Sequence, residues 1–216
     1  MKDIVHQWYV DKINVDEMVH WNKGKLKKWE QAVAEFFPKE AKILDIGCGM
    51  GREAFALTDK GFSITGIDIS EEVIKQVMQL SLQNGYNIPF LIYDGHTFSF
   101  DDNSFDVVII WAQTFGIMYG DTYKIDFLTE CKRVLKKNGL LSFSGHDYRY
   151  EMEYYKQYTN GGKFYPYANA EIYWETFLPE ELINYAQNAG FSVILCEEGE
   201  IYEPEDGIIL HCLCKK

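Results

Sequence analysis

Ile43-Leu-Asp-Ile-Gly-Cys-Gly-Met-Gly51 is an apolar run closed by three glycines at alternate positions, and Ile64-Thr-Gly-Ile-Asp68 follows after a helix-length interval. The first stretch reads as a buried strand that feeds a glycine turn and opens a helix. The second delivers a carboxylate about 20 residues further on, which is how a doubly wound sheet binds an adenosine-containing ligand. Gly47 can take backbone angles closed to other residues, while Gly49 and Gly51 remove side chains where a ligand and the next helix approach the main chain. Asp68, at the carboxyl end of its strand, is placed to accept both hydroxyl hydrogens of a ribose through charge-assisted bonds. The plainer alternative is an ordinary strand-to-helix turn with a surface aspartate.

The glycine spacing separates two kinds of adenosine ligand. A dinucleotide fingerprint needs a small residue at the sixth position counted from Gly47, and Arg52 stands there, so a nicotinamide dinucleotide fits poorly. The string Asp45-x-Gly47-x-Gly49-x-Gly51 instead resembles the first motif of the class I S-adenosylmethionine-dependent methyltransferases. The resemblance runs in the family's order from about Lys42 to the C-terminus. Phe90-Leu-Ile-Tyr-Asp94-Gly95 is similar to the third strand and its terminal acid, and the segment from Phe98 to Ile110 to the approach to the fourth strand. The stretch from Glu130 to Ser144 is similar to the next helix, turn and fifth strand, and that from Phe177 to Val193 to the helix and sixth strand.

The resemblance implies a cofactor, S-adenosyl-L-methionine, and a set of positions around it. Asp45 and the turn Gly47, Cys48, Gly49 lie by its amino-acid part, Asp68 on the ribose, and Asp94 with Gly95 on the adenine, with Ile69 packed on the adenine face. Trp111 is implied at the methionine end, and Gln113 beside the incoming substrate. The implied fold is α/β: a doubly wound, Rossmann-like, seven-stranded and mostly parallel sheet with helices on both faces.

Patterning agrees with that fold. Strands are expected at about Lys42–Ile46, Ser63–Asp68, Phe90–Tyr93, Asp106–Trp111, Leu140–Gly145, Ser192–Glu197 and Ile208–Lys215. The continuous apolar character of the middle ones marks a parallel sheet covered on both faces. Residues 1–38 form an N-terminal segment with a helix over about Asp16–Phe37, stopped by Pro38. Ser70-Glu-Glu supplies an N-cap and early acids to another helix, which Gly85 ends.

At 216 residues the chain suits one domain. Its 47% hydrophobic and 25% charged residues are those of a globular protein without a membrane span, for which a cytoplasmic location is the default. A formal charge of −12 opposes sequence-independent binding to a phosphate backbone, so nucleic acid is not the expected partner. Five cysteines without regular spacing read as reduced thiols, and no His/Asp/Cys cluster has metal-ligand spacing. Cys48 is read as a space-filling residue of the turn rather than a nucleophile, because methyl transfer from a sulfonium needs no covalent enzyme intermediate.

Residues 146–174 break the compact pattern with ten aromatic side chains interrupted by Asn160-Gly-Gly162. The stretch leaves the fifth strand at its carboxyl end, where ligands of open α/β sheets bind, so it is expected to cap the site and line the acceptor with Tyr148, Tyr165, Tyr167 and Trp174. A cap that only packs on the core is the alternative. His146, directly after Ser144-Gly145, is the best-placed general base, and Asp147 can steady its ring only if the backbone turns. The Asn/Asp-Pro-Pro-Tyr/Phe motif of nucleobase amino-methyltransferases is absent where Trp111-Ala-Gln-Thr114 stands, as is the aspartate of metal-dependent catechol-type enzymes. The expected activity is metal-independent methyl transfer to an oxygen or nitrogen of a small molecule. The alternative is a non-catalytic module that binds S-adenosylmethionine or S-adenosylhomocysteine, or that supports a partner enzyme.

Overall fold

Strands β1 (Lys42–Ile46) and β4 (Phe105–Ile110) pair in parallel at the centre of the molecule and are buried on both faces. Leu44, Ile46, Val108 and Ile110 enter one apolar cluster, and Ile43, Val107 and Ile109 enter the other. Strand side chains alternate in direction, so a run without polar interruption supplies two cores at once. Each Leu, Ile or Val so buried contributes about 1.5–3 kcal/mol. The structure, a computed structural model, describes residues 24–112, 114–156, 163–167, 172–203 and 206–216, and of residues 165–167 and 172 the backbone only.

Outward from β1 the sheet continues in parallel through β2 (Ser63–Asp68) to β3 (Phe90–Ile92). On the other side β4 pairs in parallel with β5 (Leu135–Asp147). Helix α1 (Lys28–Ala34) precedes β1, and α2 (Arg52–Asp59), α3 (Glu71–Gln83) and α4 (Asp121–Val134) lie between the strands. Ser70 caps α3, its Oγ accepting from the Val73 N–H at 3.3 Å, and Gly85 follows the helix in a left-handed conformation. The long helix expected over Asp16–Phe37 is corrected within the described residues: Gly24 adopts φ +64° and α1 begins only at Lys28.

The fifth strand changes partner along its length. From Leu140 to Gly145 it pairs antiparallel with β9 (Ile208–Lys215), which in turn carries β8 (Ser192–Glu200). At His146 and Asp147 it pairs instead with Thr176 and Phe177 of β7 (Ile172–Phe177). Gly145 permits the change, since a Cβ there would lie 2.5 Å from the Phe177 ring. Between these strands run α5 (Tyr148–Tyr154) and β6 (Phe164–Tyr167), the latter antiparallel to β7, and α6 (Pro179–Asn188) leads to β8. The mostly parallel, doubly wound sheet is as expected, but it has nine strands among the described residues rather than seven, because β6 and β7 add to it. Tyrosines and tryptophan in that segment suit pleated backbone as well as they suit a loop.

A buried pair ties this hairpin down. Lys124 of α4 is fully buried, bonds Glu175 of β7, and lies 5.5–5.8 Å from the ring centroids of Phe115, Phe177 and Tyr185. No helix among the described residues is long and apolar enough to cross a membrane.

Candidate active site

The glycine turn joins β1 to α2 beside the carboxyl end of β2. Gly47, Gly49 and Gly51 have φ of +70°, +48° and +78°, so all three occupy the region that favours glycine. The N–H groups of Gly47 and Cys48 both donate to the Ile67 carbonyl, at 2.9 and 3.1 Å, which locks the turn against β2. A Cβ on Gly47 would lie 2.6 Å from the side chain of Thr114, and one on Gly51 would meet Phe55 and Val77 at 2.9 Å. Two of the glycines are therefore required by close protein packing, on the 3-10 turn Thr114–Ile117 and on helices α2 and α3.

Two buried carboxylates flank the turn. Asp68 closes β2, 8% exposed; its Oδ2 accepts from the Gly49 N–H at 3.2 Å and its Oδ1 from the Ser70 N–H at 3.0 Å. Burial raises its carboxyl above the usual range, and the backbone donors at Ser70, Gly49 and Ile69 pull the other way. Asp45 is 2% exposed, and its Oδ2 has no hydrogen-bond partner among the described residues. Burial, and then the negative charge of Glu53, push its carboxyl well above the ordinary value. A buried acceptor left bare costs about 1–3 kcal/mol, and a cationic group brought against it removes that cost.

Arg52 takes no part in helix packing against the strand. Its guanidinium forks onto Glu30 of α1, Nη1 to Oε2 at 2.6 Å and the other nitrogen to Oε1 at 2.7 Å, bonds the neighbouring Glu53, and donates to the Lys25 carbonyl at 3.0 Å. Burial lowers its pKa, but the carboxylates of Glu53 and Glu30 outweigh that and hold it above the ordinary value. Burial raises the Glu53 carboxyl, with Arg52 opposing. The network fastens the N-terminal helix to the glycine turn, a link between residues 22 apart that sequence pattern does not reveal.

Beyond β3, Asp94 is exposed and caps its own loop, accepting from His96 N at 2.7 Å, Thr97 N at 2.8 Å and Thr97 Oγ1 at 3.1 Å. The Thr97 and His96 N–H groups hold its carboxyl below the usual range. A Cβ added to Gly95 would lie 3.6 Å from the half-buried Ile69, which brings the two together. Cys48 is buried, with its thiol pushed well up by desolvation, which leaves it protonated and unreactive.

Trp111 is a correction. Its ring is 1% exposed, donates from Nε1 to Ser142 Oγ at 2.8 Å, and packs on Trp29 and Phe37 with centroids 5.2 and 6.2 Å away. The side chain belongs to the core, not to a ligand surface. The residue after a buried strand can turn to either side, and Ser142 with the aromatic cluster draws this indole inward. Gln113 lies outside the described residues.

At the carboxyl end of β5, His146 and Trp174 meet with ring centroids 4.8 Å apart. The Nδ1 of His146 lies 3.3 Å from Oε1 of Glu151, one turn into α5. Asp147 does not steady the imidazole: it is the N-cap of α5, accepting from Arg149 N at 2.7 Å and pairing with the Arg149 guanidinium. The partner missed in the sequence is Glu151, which the cap at Asp147 and one helical turn bring back over His146. Tyr148 opens α5, half-buried; Tyr165 and Tyr167 have backbone opposite Trp174 and Ile172, while their side chains lie outside the described part. Gly116 links this cluster to the glycine turn, since a Cβ there would lie 2.9 Å from the Glu175 carbonyl and 3.7 Å from the Trp174 Cβ.

A doubly wound sheet with a glycine turn, a carboxylate closing the second strand and a second buried carboxylate beside the turn is an arrangement that can receive a nucleoside at the strand ends. Residues 43–139 match the family described as Methyltransferase domain. Over residues 43–139 the chain is thus similar to a methyltransferase domain, and its fold is that of an S-adenosylmethionine-dependent methyltransferase from Methanosarcina mazei, with a TM-score of 0.75 at 20% identity over 86% of this chain and 96% of that one. YqeM of Bacillus subtilis is 32% identical over 119 residues, covering 55% of this chain and 48% of that one. A ubiquinone biosynthesis O-methyltransferase of Coxiella burnetii is 24% identical over 196 residues, 89% of this chain and 80% of its own. The fold is also that of the Burkholderia thailandensis 1,6-didemethyltoxoflavin-N1-methyltransferase, solved with 1,6-didemethyltoxoflavin and S-adenosylhomocysteine. That likeness has a TM-score of 0.72 at 18% identity and covers 100% of this chain and 86% of that one. The chain spans about half the length of curated relatives such as YqeM.

Proposed function

We propose that this protein transfers a methyl group from S-adenosylmethionine to an oxygen or nitrogen of a small-molecule acceptor. The observation that carries the reading is the pair of buried carboxylates at the glycine turn, one of them, Asp45, with an unsatisfied oxygen. A cofactor with an α-ammonium at one end and a ribose diol at the other meets both needs. Asp45 with the backbone of Gly47, Cys48 and Gly49 would hold the amino-acid part, Asp68 the ribose hydroxyls, and Asp94, Gly95 and Ile69 the adenine.

Bound S-adenosylmethionine supplies an electrophilic methyl on a positively charged sulfur. The protein's task is then mainly alignment, and proximity of acceptor and methyl in one line is worth several kcal/mol of barrier. The acceptor wall in this reading is residues 146–174 with Gln113, in particular Tyr148, Tyr165, Tyr167 and Trp174, with His146 as the group that takes a proton. Aromatic side chains there favour a flat or cationic acceptor, because a π face binds both. The acidic chain, at −12, opposes binding to a phosphate backbone.

Calorimetry with S-adenosylmethionine tests the site. Affinity of micromolar order, about −8 kcal/mol, is expected for the natural chain and is largely lost in Asp68→Ala, which removes two charge-assisted acceptors worth about 1.5–3 kcal/mol each. Unchanged binding in that variant refutes the assignment. Formation of S-adenosylhomocysteine with a broad metabolite panel separates an enzyme from a binding module.

A further inference from the structure

Glu151 is 5% exposed, yet its Oε2 has no hydrogen-bond partner among the described residues. Its other oxygen faces Nδ1 of His146 at 3.3 Å. A carboxylate so far out of water is costly unless a cation or a strong donor meets it, and the basic side chain it faces is this imidazole. The charged neighbours are engaged elsewhere. Asp147 is spent on the backbone and guanidinium of Arg149, and Arg149 reaches on to Glu198 at 2.8 Å. On the same helix, Tyr150 and Tyr154 pack on one another with tilted rings, centroids 4.6 Å apart. From β7 the indole of Trp174 covers the imidazole, and Thr176 is its partner in register. The Nε2 edge of the ring is withdrawn from bulk water.

We infer that His146 and Glu151 form a proton-accepting pair for a hydroxyl acceptor, of the phenol or enol class, seated against Trp174. Glu151 is a positioning residue in this scheme and His146 the catalytic one. The inference rests on the methyl-transfer reading above and narrows its acceptor. A neutral amine already presents a lone pair and can be alkylated before it sheds a proton, whereas a neutral hydroxyl becomes a competent nucleophile only as its proton leaves. A carboxylate placed behind an imidazole stabilises imidazolium, which arises only when such a proton is taken up.

The step balances. The acceptor oxygen forms its bond to the methyl carbon as the methyl–sulfur bond breaks, and that bond's electron pair stays on sulfur as a neutral thioether. The hydroxyl proton passes to Nε2 of His146, Glu151 offsets the charge of the resulting imidazolium, and the proton then leaves to solvent. No oxidant or second co-reactant is consumed.

The test compares the full chain with H146N and E151Q by three measurements. Calorimetry with S-adenosylmethionine is expected to give the same affinity in all three. Histidine-labelled NMR of the free proteins is expected to show the His146 Nδ1 resonance displaced in E151Q, because the carboxylate it faces at 3.3 Å is gone. Turnover of phenol, catechol and resorcinol, set against aniline and phenylenediamine, is expected to favour the hydroxyl compounds and to rise with pH through the histidine range. With those acceptors kcat falls about 100-fold or more in H146N with loss of that pH limb, and at least about tenfold in E151Q, with KM little changed. A His146 Nδ1 resonance unmoved by E151Q, a pH limb that survives H146N, or turnover confined to the amines overturns the pair while leaving the cofactor reading intact. Absence of cofactor binding in the natural chain overturns the cofactor reading and the pair with it.

Discussion

Replacing Arg52 with methionine tests the ionic network that fastens helix α1 to the glycine turn. The arginine side chain is 10% exposed, against 0% for Glu30 and 7% for Glu53, so its removal leaves two carboxylates in a dry setting without their cation. Breaking a buried pair from one side costs about 3–5 kcal/mol, most of it the penalty of the abandoned charge. For a chain of this size each kcal/mol moves the unfolding midpoint by about 2–4 °C, so a drop of roughly 6–20 °C is expected by circular dichroism. The loss has a definite pH dependence. Burial already raises the Glu53 carboxyl, and the variant removes the Arg52 charge that opposes it, so the folded chain takes up a proton more readily than the unfolded one and regains stability as pH falls. The deficit is therefore larger at about pH 8 than at about pH 5.5. Adding E30Q to R52M removes one abandoned charge and recovers part of the loss, a coupling expected of residues in contact. A midpoint within about 2 °C of the natural chain, or an equal deficit at both pH values, refutes this account.

Three further outcomes follow from the same geometry. Gly47→Ala forces a Cβ into the side chain of Thr114 at a φ of +70°; a loss of about 1–3 kcal/mol is expected in denaturant melts, partly restored by Thr114→Gly, and no rescue would show that the clash is not the cause. Trp111→Phe strands the Ser142 hydroxyl in the core and is expected to cost about 1–3 kcal/mol of stability without altering S-adenosylmethionine affinity, and a calorimetric loss would return the indole to the ligand surface. Glu175→Gln deprives the fully buried Lys124 of its counter-ion, and a loss of about 3–5 kcal/mol with faster amide exchange in β6 and β7 is expected; a change below about 1 kcal/mol would show that the surrounding rings suffice.

The parallel frame is legible in the sequence because its signals are local. Strands β1, β2 and β9 run over Lys42–Ile46, Ser63–Asp68 and Ile208–Lys215 as the apolar runs and their punctuation predict. Ser70 declares a helix start through a contact only three residues away. What pattern does not carry is long-range pairing. The anchors of Arg52 lie in a separate helix, the hairpin of β6 and β7 reads as aromatic-rich loop, and the strand β5 is longer than its apolar portion because it starts at Leu135, ahead of a register shift, and ends in the pairing of His146 and Asp147 with β7. Of the proposed site, the glycine turn and the acid closing β2 were readable as a motif. The rotation of Trp111 was not, since direction after a strand is set by neighbours, and neither was the choice of Glu151 over Asp147 beside His146.

Strand β5 gives Leu140–Gly145 to β9 and only its last two residues to β7. Beyond that two-residue register the hairpin is held by side chains, through the Lys124–Glu175 pair and the close approach of Gly116 to β7, so its position depends on helix α4 and the 3-10 turn more than on backbone pairing.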